Sequence, residues 1–394
     1  MSGPSQTAGL AEDQVSGPTA WRVLRVPVPD SLDAPEAWGV HGTVRVGEAV
    51  DREIHGHTDL ALDAATTLVS MTAQQEYKKT VRLVAVRGSR DASAGGPDRT
   101  PAASDVVGRG MVGLPQKGNT HVAIVYAGVD PDHRGQGVGT ALWEEGLRIA
   151  REAGRTVILS DSSHAPEPPA GPGALESPTG SGRVPLDDPG TRFALSRGFS
   201  LEQVMRHSAI SLPPRQDVVD PLREAARAAA ADRYRVHLWQ DTVPEDWIED
   251  FAVLETRMST DAPSGGLDLE EDPWDADRVR AASRSFADRG QGYLIAVAEH
   301  VATGRLAGFS MVSYPHDRPE VVVQEDTLVL REHRGHQLGM LVKIAVLDEL
   351  ARVRPSSRRI HTWNAQENRH MLAINEALGF EVASVDAEWQ LRLA

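Results

Sequence analysis

The sequence predicts an α+β fold with a mixed sheet, made of two similar halves in tandem, each a twisted, mainly antiparallel sheet flanked by helices. The 394 residues suffice for two domains of ordinary size, and 40% of them are hydrophobic, enough for two cores. Two glycine-rich segments, 129–142 and 329–341, each lie between a strand-like run and a helix-like run. Around both segments the patterns follow the order β-α-α-β-β-β-α-β-α-β, which indicates an internal duplication.

The first half is predicted to be a domain over residues 19–215, after a small and polar segment, 1–18, that is predicted to be a disordered tail. Residues 34–73 are predicted to be mostly helical, with breaks near Gly42 and Gly56. A later helix, 140–153, and an exposed loop, 91–104, complete the non-strand elements before the insertion. Runs of apolar and β-branched residues predict the strands, at 21–26, 81–87, 106–114, 121–129, 156–159 and 204–212.

A Pro/Gly-rich insertion interrupts the first half at residues 165–190. It contains seven prolines, so no helix can run through it, and a surface loop beside the ligand cleft of this half is predicted. A short helix over 193–197 follows. Residues 216–233 are predicted to be a helical linker, with Asp220 as the N-cap and Pro221 as the first helical residue.

The second half is predicted to be a domain over residues 234–394 that repeats the same pattern. Besides the helix after its glycine-rich segment, helices are predicted at 245–258, 276–287 and 368–378, the last ended by Gly379. Its strands are predicted at 234–239, 292–299, 306–314, 319–330, 360–363 and 387–393.

The glycine-rich segments are predicted to bind an anion. Glycine lacks a Cβ, so its backbone N–H groups can turn toward one point, and the N–H groups at the start of the following helix have no internal partner. The helix dipole adds partial positive charge, which suits a pyrophosphate. Neither segment has the Gly-x-Gly-x-x-Gly spacing of a dinucleotide site or the Gly-Lys-Ser/Thr of a P-loop. We call residues 134–140 the first cradle and residues 334–340 the second cradle.

The pattern Arg-x-x-Gly-x-Gly after a strand, present from Arg134 to Gly139, resembles motif A of the GNAT superfamily of coenzyme A-dependent N-acetyltransferases. The second cradle keeps the arginine and two glycines, but has Gln337 at the central position. The resemblance covers most of the chain, once per half, and the tandem arrangement is similar to that of the actinobacterial mycothiol synthases. It implies two GNAT-like domains, each able to hold acyl-CoA between its fourth and fifth strands.

The same resemblance implies acetyl-CoA as co-substrate, with its pantetheine on the strand end and its pyrophosphate on the cradle amides. In the first half the implied binding residues are Ala127, Gly128, Val129, Arg134, Gly135, Gln136, Gly137, Val138, Gly139 and Thr140. In the second half they are Thr327, Leu328, Val329, Arg334, Gly335, His336, Gln337, Leu338, Gly339, Met340 and Asn368. Asn368 matches the asparagine of the family's motif B, although its residue type fits a helix N-cap equally well.

A general base is sought on the fourth strand of such a domain, facing the cleft. Glu325 and Asp326 are the candidate catalytic residues, because the first half has His121 and Tyr126 there and no carboxylate. Glu325 shares a face with Val329 in a regular strand, whereas a bulge would favour Asp326. The second half is therefore predicted to carry the chemistry, and the first half to bind CoA or act as a scaffold.

The motif B tyrosine that protonates the leaving thiolate aligns with Asn375 in the second half and Ala194 in the first. Neither side chain can protonate a thiolate, so the proton donor stays open, with water as one candidate. The leading interpretation is an N-acetyltransferase that moves an acetyl group from acetyl-CoA to a primary amine of a small molecule by direct attack. The alternative is a non-catalytic acyl-CoA-binding or sensing protein, which the missing tyrosines favour.

Composition restricts the partners. A formal net charge of −15 argues against general nucleic-acid binding and suits a cationic acceptor. The absence of cysteine excludes disulfides, thiolate metal sites and a cysteine nucleophile, and no metal is expected. No apolar run approaches the length of a membrane span and the first residues lack a signal pattern, so we expect a cytoplasmic monomer or homodimer without membrane partners. The identity of the acceptor is left open.

Overall fold

The computed structural model describes residues 21–73, 76–87 and 100–393. The predicted tail, 1–18, and most of the predicted loop at 91–104 lie outside these residues. The strands are β1 Trp21–Arg25, β2 Lys78–Arg87, β3 Val106–Pro115, β4 Val122–Val129, β5 Val157–His164, β6 Ala174–Glu176, β7 Arg183–Pro185, β8 Ser200–Ser211, β9 Tyr234–Gln240, β10 Gln291–His300, β11 Arg305–Pro315, β12 Val321–Val329, β13 Arg359–Ala365 and β14 Glu381–Arg392. The helices are α1 Trp38–His55, α2 Ala64–Thr72, α3 Val138–Glu152, α4 Pro189–Ser196, α5 Gln216–Ala230, α6 Ile248–Asp261, α7 Ala276–Asp288, α8 Leu338–Val353 and α9 Arg369–Leu378.

Twelve strands form one continuous sheet, in the order β1-β2-β3-β4-β5-β14-β8-β13-β12-β11-β10-β9. β4 pairs with β5, and β12 with β13, in parallel; the other neighbours are antiparallel. Helices cover both faces: α3 and α8 pack into one apolar cluster of their half, and α1 or α6 into another. The predicted α+β class and the duplication are therefore confirmed.

The last strand of each half lies against the other half. β14 pairs with β5, β8 pairs with β13, and β14 and β8 pair with each other at the centre of the sheet. We call this arrangement the strand exchange. It was not predicted, because the order of elements along the chain does not say which strand will be its neighbour. The boundaries 19–215 and 234–394 stay a prediction, since the sheet of each segment is closed by a strand of the other.

The segment between the halves is also part of the core. α5 begins at Gln216, so the predicted start at Asp220 is wrong, and Pro221 lies inside the helix. Pro221 has no N–H, so one hydrogen bond to the carbonyl four residues earlier is lost. The loss falls in the first turns of the helix. Val219 and Ala226 are buried in the same apolar cluster as α8, and Arg223 pairs with Asp348 of α8 at 2.7 Å. The helix therefore packs on the second half as well as connecting to it.

One predicted helix break is confirmed and one is wrong. α1 ends at Gly56, whose φ of +74° is left-handed. It continues through Gly42, because this glycine serves close packing: a Cβ there would lie 2.3 Å from Cγ2 of Val106. A glycine inside a helix marks such a contact as readily as a break.

The insertion is anchored rather than free. β6 and β7 form a hairpin, and Val184 of β7 is fully buried in the core of the first half. A Cβ on Gly182 would lie 2.7 Å from Val204 and 2.8 Å from the Gln366 side chain of the second half. Most residues of 165–190 are exposed or half-buried, as a surface segment should be, but the segment forms a hairpin with a buried apolar side chain and is not a free loop.

Candidate functional site

In each half a parallel pair of strands opens into a cleft. β4 and β5 pair only from Val122 to Ile124 and from Val157 to Leu159, and then diverge. β12 and β13 behave in the same way, with pairing limited to 321–323 and 359–361. Beyond these points one edge of β4 and of β12 lacks a neighbouring strand along the described chain, so its backbone groups can bind an extended ligand.

The first cradle has the geometry of an anion site. Gly135 and Gly137 have left-handed φ values of +71° and +85°, and α3 begins at the next residue, Val138. Arg134 does not point freely at a ligand: its Nε donates to the carbonyl oxygen of Val129 at 3.4 Å, and its Nη1 to Glu53 at 3.0 Å. Arg134 therefore holds the loop against β4.

The second cradle repeats the loop but not its access. Gln337 adopts a left-handed φ of +54°, so the turn is retained without the central glycine. Arg334 again donates to the carbonyl oxygen of Val329, at 3.2 Å, and pairs with Asp261. Gly339 and Met340 are buried, however, whereas Gly139 and Thr140 of the first cradle are half-buried. Arg334, Gly335 and Gln337 are exposed, so the second cradle differs from the first mainly in the burial of the first turn of its helix.

The first cradle opens into a cleft of about 900 Å³. Its wall includes the end of β4, the start of α3, the end of β5, the last turn of α1 and the start of α4. Of the residues predicted to bind CoA, those lining it are Ala127, Gly128, Val129, Arg134, Gly135, Gly137, Val138, Gly139 and Thr140. The predicted first-half site is thus brought together around one cavity. We call it the first cleft.

Carboxyl groups line one face of the sheet at the first cleft. Asp161 of β5 lies directly opposite Glu388 of β14, and Asp386 lies two residues further on the same face. Asp161 is exposed to the cleft, yet the surrounding protein and the nearby Asp386 raise its pKa to about 6. Burial, together with Asp161 and Asp386, raises the pKa of Glu388 to about 8. The fourth strand of this half has no carboxylate, as predicted, but neighbouring strands supply three, two of them on the exchanged strand.

Two further polar side chains face this carboxyl cluster from the first half. Tyr126 lines the cleft, and its hydroxyl lies 3.4 Å from Nη2 of Arg109. The guanidinium of Arg109 lowers the pKa of Asp161 against the larger effect of enclosure, which limits the rise. Tyr126 and Arg109 therefore mark the β3–β4 side of the same site.

On the opposite face of β5, Ser162 and His164 form a second polar group. Ser162 Oγ lies 2.8 Å from His164 Nε2, and His164 Nδ1 lies 3.2 Å from Asp188 Oδ1. Trp389 of β14 donates its ring N–H to Ser162 Oγ at 2.8 Å, so the hydroxyl proton is free to point at His164. Ser162, His164 and Asp188 all line the first cleft.

The predicted catalytic residues of the second half lie in a different pocket. β12 has a register shift opposite Met311, so the bulge that the sequence left open is present at Glu325 and Asp326. Both carboxyls line a pocket of about 170 Å³ with Glu255 of α6 and aromatic residues that include Trp274. Enclosure raises the pKa of all three, that of Glu255 to about 8. No residue of the second cradle is among those lining this pocket in the described part of the chain.

The motif B residues of the second half have structural partners. The Asn368 side chain accepts from the N–H of Met371 at 3.2 Å and caps α9, while its contact with CoA stays a prediction. Asn375 is buried and donates to Asn364 at 2.6 Å, so it does not face a cleft as an acid. α9 ends at Gly379, as predicted, with φ of +98°.

Each half combines a splayed parallel strand pair with a glycine-rich loop and helix after it, which defines a tandem α+β fold. Residues 90–166, less than half of the chain, match the model of the Acetyltransferase (GNAT) family. The whole chain has the fold of tandem GNAT proteins. Both findings support an acetyltransferase.

Among solved structures, the chain is similar to a tandem GNAT protein from the clavulanic acid biosynthesis pathway, with TM-score 0.69 and 24% identity over 94% of this chain and 98% of that one. A GCN5-related N-acetyltransferase from Sphaerobacter thermophilus matches with TM-score 0.56 and 14% identity, over 96% and 97% of the two chains. A fungal glucosamine N-acetyltransferase region matches with TM-score 0.56 and 14% identity, over 95% of this chain and 38% of that chain. No curated protein sequence matches the chain. Within the described residues, helices that are both long and apolar enough to cross a bilayer are not found.

Proposed function

We propose that the protein is an N-acetyltransferase that holds acetyl-CoA in the first cleft and transfers the acetyl group to a primary amine of a small molecule by direct attack. The observation that carries this proposal is the cleft of about 900 Å³ that the first cradle lines, with Gly139 and Thr140 half-buried where Gly339 and Met340 are buried. Amides of residues 135–140 would hold the pyrophosphate, and the unpaired edge of β4 at 127–129 the pantetheine. The proposal moves the chemistry from the second half, where the sequence predicted it, to the first.

Asp161 is the proposed general base. An amine is protonated at neutral pH and has no lone pair until a base removes the proton. A carboxyl whose pKa is raised to about 6 is ionised at pH 7 yet accepts a proton more readily than an ordinary aspartate. The neighbouring Glu388, whose pKa is raised to about 8, is mostly protonated at pH 7, so its carbonyl oxygen could accept a hydrogen bond from the acceptor without adding a charge.

The leaving thiolate also needs a proton, and Ser162 is the proposed donor. The amine nitrogen bonds to the acetyl carbon, the carbon–sulfur bond breaks, and the electron pair of that bond stays on sulfur. The step balances if both ring nitrogens of His164 carry a proton: Nε2–H donates to Ser162 Oγ, 2.8 Å away, as the hydroxyl proton passes to sulfur, and neutral His164 keeps its Nδ1–H toward Asp188. Asp188 would act as a positioning residue for the His164 ring. Ser162, His164 and Asp188 would together take the role of the motif B tyrosine, which both halves lack.

The test compares Asp161→Asn with Glu325→Gln, measured by free-thiol release from acetyl-CoA with a panel of amines that includes aminoglycosides. Removing a general base costs about 10²–10⁴-fold, so we expect kcat of Asp161→Asn to fall by at least about tenfold at unchanged CoA affinity. Wild-type kcat/KM should rise with pH through about 6, as Asp161 ionises, and the variant should lose that rise.

Glu325→Gln is the matched control and should keep its activity. The reverse result, with Glu325→Gln inactive and Asp161→Asn intact, would place the chemistry in the second half with Glu325 or Asp326 as base. Tight CoA binding without thiol release for any amine would instead favour an acyl-CoA sensor.

A further inference from the structure

Four histidines and one aspartate gather where the two halves meet. His55 ends α1, and His57 and Asp59 follow it in the connection to α2, while His207 lies on β8 and His361 on β13. The rings of His55 and His57 are 5.9 Å apart, those of His207 and His361 are 5.3 Å apart, and those of His57 and His361 are 5.6 Å apart. The proposed acetyl transfer uses none of these residues.

Three members of this cluster offer ligand atoms at metal-binding spacing. One atom each from His57, Asp59 and His361 lie within 4.8 Å of one another. Asp59 Oδ2 is 3.3 Å from His361 Nε2 and 3.9 Å from His57 Nδ1. Ligand bonds of about 2.0–2.2 Å around a tetrahedral Zn²⁺ ion require similar separations, so small side-chain rotations suffice. We propose that His57, Asp59 and His361 bind one divalent transition-metal ion, with Zn²⁺ as the best match to this donor set.

The surroundings of His361 support this site. Its Nδ1 lies 3.1 Å from Nε2 of His207, whose Nδ1 lies 2.8 Å from Oγ of Ser384. In one tautomer state, Nδ1–H of His361 donates to His207 and Nδ1–H of His207 donates to Ser384. The Nε2 lone pair of His361 then faces the carboxylate of Asp59, and these two acceptors repel each other unless a cation lies between them. The opposite tautomers place a proton there instead, so ring tautomers distinguish the metal-bound state from the metal-free one.

Arg359 binds the same oxygen of Asp59 that faces His361. It donates from Nε to Oδ2 at 2.7 Å and also from Nη2, which fixes the carboxylate, so an ion would bind through Oδ1 after a small rotation of the side chain. The guanidinium balances the one carboxylate of the cluster, so the ion is held mainly by coordination to neutral imidazoles. Such rings suit Zn²⁺ better than Mg²⁺ or Ca²⁺, which prefer oxygen ligands.

Access to the site is through His57. The side chains of His57, Asp59 and His361 are 29%, 11% and 1% exposed, so an ion can enter from the His57 side and keep a fourth position for water. Bound there, it would tie the α1–α2 connection of the first half to β13 of the second.

The test uses the full-length protein, stripped with a chelator and titrated with Zn²⁺ against a colorimetric competitor. We expect about one Zn²⁺ per chain and a melting temperature that rises with Zn²⁺, because the ion binds the folded state. His57→Ala, at a partly exposed position, should weaken binding by at least about tenfold while its metal-free melting temperature stays near that of the wild type. Co²⁺ should give the visible absorption of a tetrahedral site.

His370→Ala is the control, since His370 is exposed on α9 away from the cluster. It should bind Zn²⁺ like the wild type. Equal binding by the wild type and His57→Ala would mean adventitious metal only and would overturn the proposal. The proposal would also be overturned if the protein retained no Zn²⁺ and showed no thermal shift with Zn²⁺, and if nitrogen NMR placed a proton on Nε2 of His361.

Discussion

Lys343 gives the most quantitative prediction of the structure. It lies on α8 in the core of the second half, 2% exposed, with its ammonium 5.8 Å from the ring of Phe380. The corresponding pair in the first half is Trp143 and Phe199, whose rings are 5.2 Å apart. Burial lowers the pKa of Lys343 from 10.5 to about 7. A charged side chain has thus replaced an aromatic one at a buried position.

The energetic cost follows from the pKa difference. At 1.36 kcal/mol per pKa unit, keeping the protonated lysine buried costs about 5 kcal/mol. Between pH 7 and 10.5 the unfolded chain binds more protons at this position than the folded one, so stability rises with pH across this window. Below pH 7 both states are protonated and the full cost remains. Lys343→Met has a similar shape without the charge, and should stabilise the protein by several kcal/mol at pH 7.

The assay is guanidinium unfolding at pH 7 and pH 10 for the wild type, Lys343→Met and the control Lys79→Met, whose lysine is exposed. The free energy of unfolding of the wild type should approach that of Lys343→Met as pH rises. That of Lys79→Met should equal the wild-type value at both pH 7 and pH 10. The reasoning fails if the free energies of unfolding of Lys343→Met and the wild type differ by less than about 1 kcal/mol at pH 7 and change in parallel with pH. The ammonium would then be solvated in the folded state.

Two further predictions concern the first cleft. A Cβ on Gly139 would lie 3.5 Å from Cγ2 of Val129, an ordinary contact, so Gly139→Ala should fold normally. It should raise the Kd for CoA by about tenfold or more, because the pyrophosphate loses its close approach to the backbone. Gly339→Ala, in the second cradle, should leave the CoA affinity measured by calorimetry unchanged, and the opposite pattern would assign CoA to the second half. Ser162→Ala should lower kcat about tenfold with CoA affinity intact, and a thioester donor with a more acidic thiol should restore much of the rate; an equal deficit with both donors would remove Ser162 from the proton path.

Much of the fold could be predicted because its signals are local. A glycine pair beside an arginine, between a β-branched run and an amphipathic run, specifies strand, cradle and helix within twenty residues, and it occurs twice. The turn even survives Gln337, which accepts the left-handed conformation that Gly137 supplies freely. The predicted helix start at Pro221 and the predicted helix break at Gly42 were wrong, because a helix tolerates proline near its start and glycine at a close contact.

The site was harder to predict because its residues meet across distant strands. Asp161 has no motif around it, and Glu388 belongs to the opposite half of the chain, so only the register of β5 and β14 brings them together. Ser162 and His164 did carry a signal, since alternate residues share a strand face, but Asp188 comes from the end of the insertion, where it caps α4. Glu255 in the second pocket lacks any sequence marker that links it to Glu325.

The strand exchange also determines when the active half can form during synthesis. β5 ends at His164, but its neighbour in the sheet starts at Glu381, so a nascent chain that has released the entire first half still has an open sheet edge there. An open edge is prone to pair with other chains, and it persists until the last strand emerges from the ribosome. Because the sheet of each half is closed by a strand of the other, neither half can complete its own sheet alone.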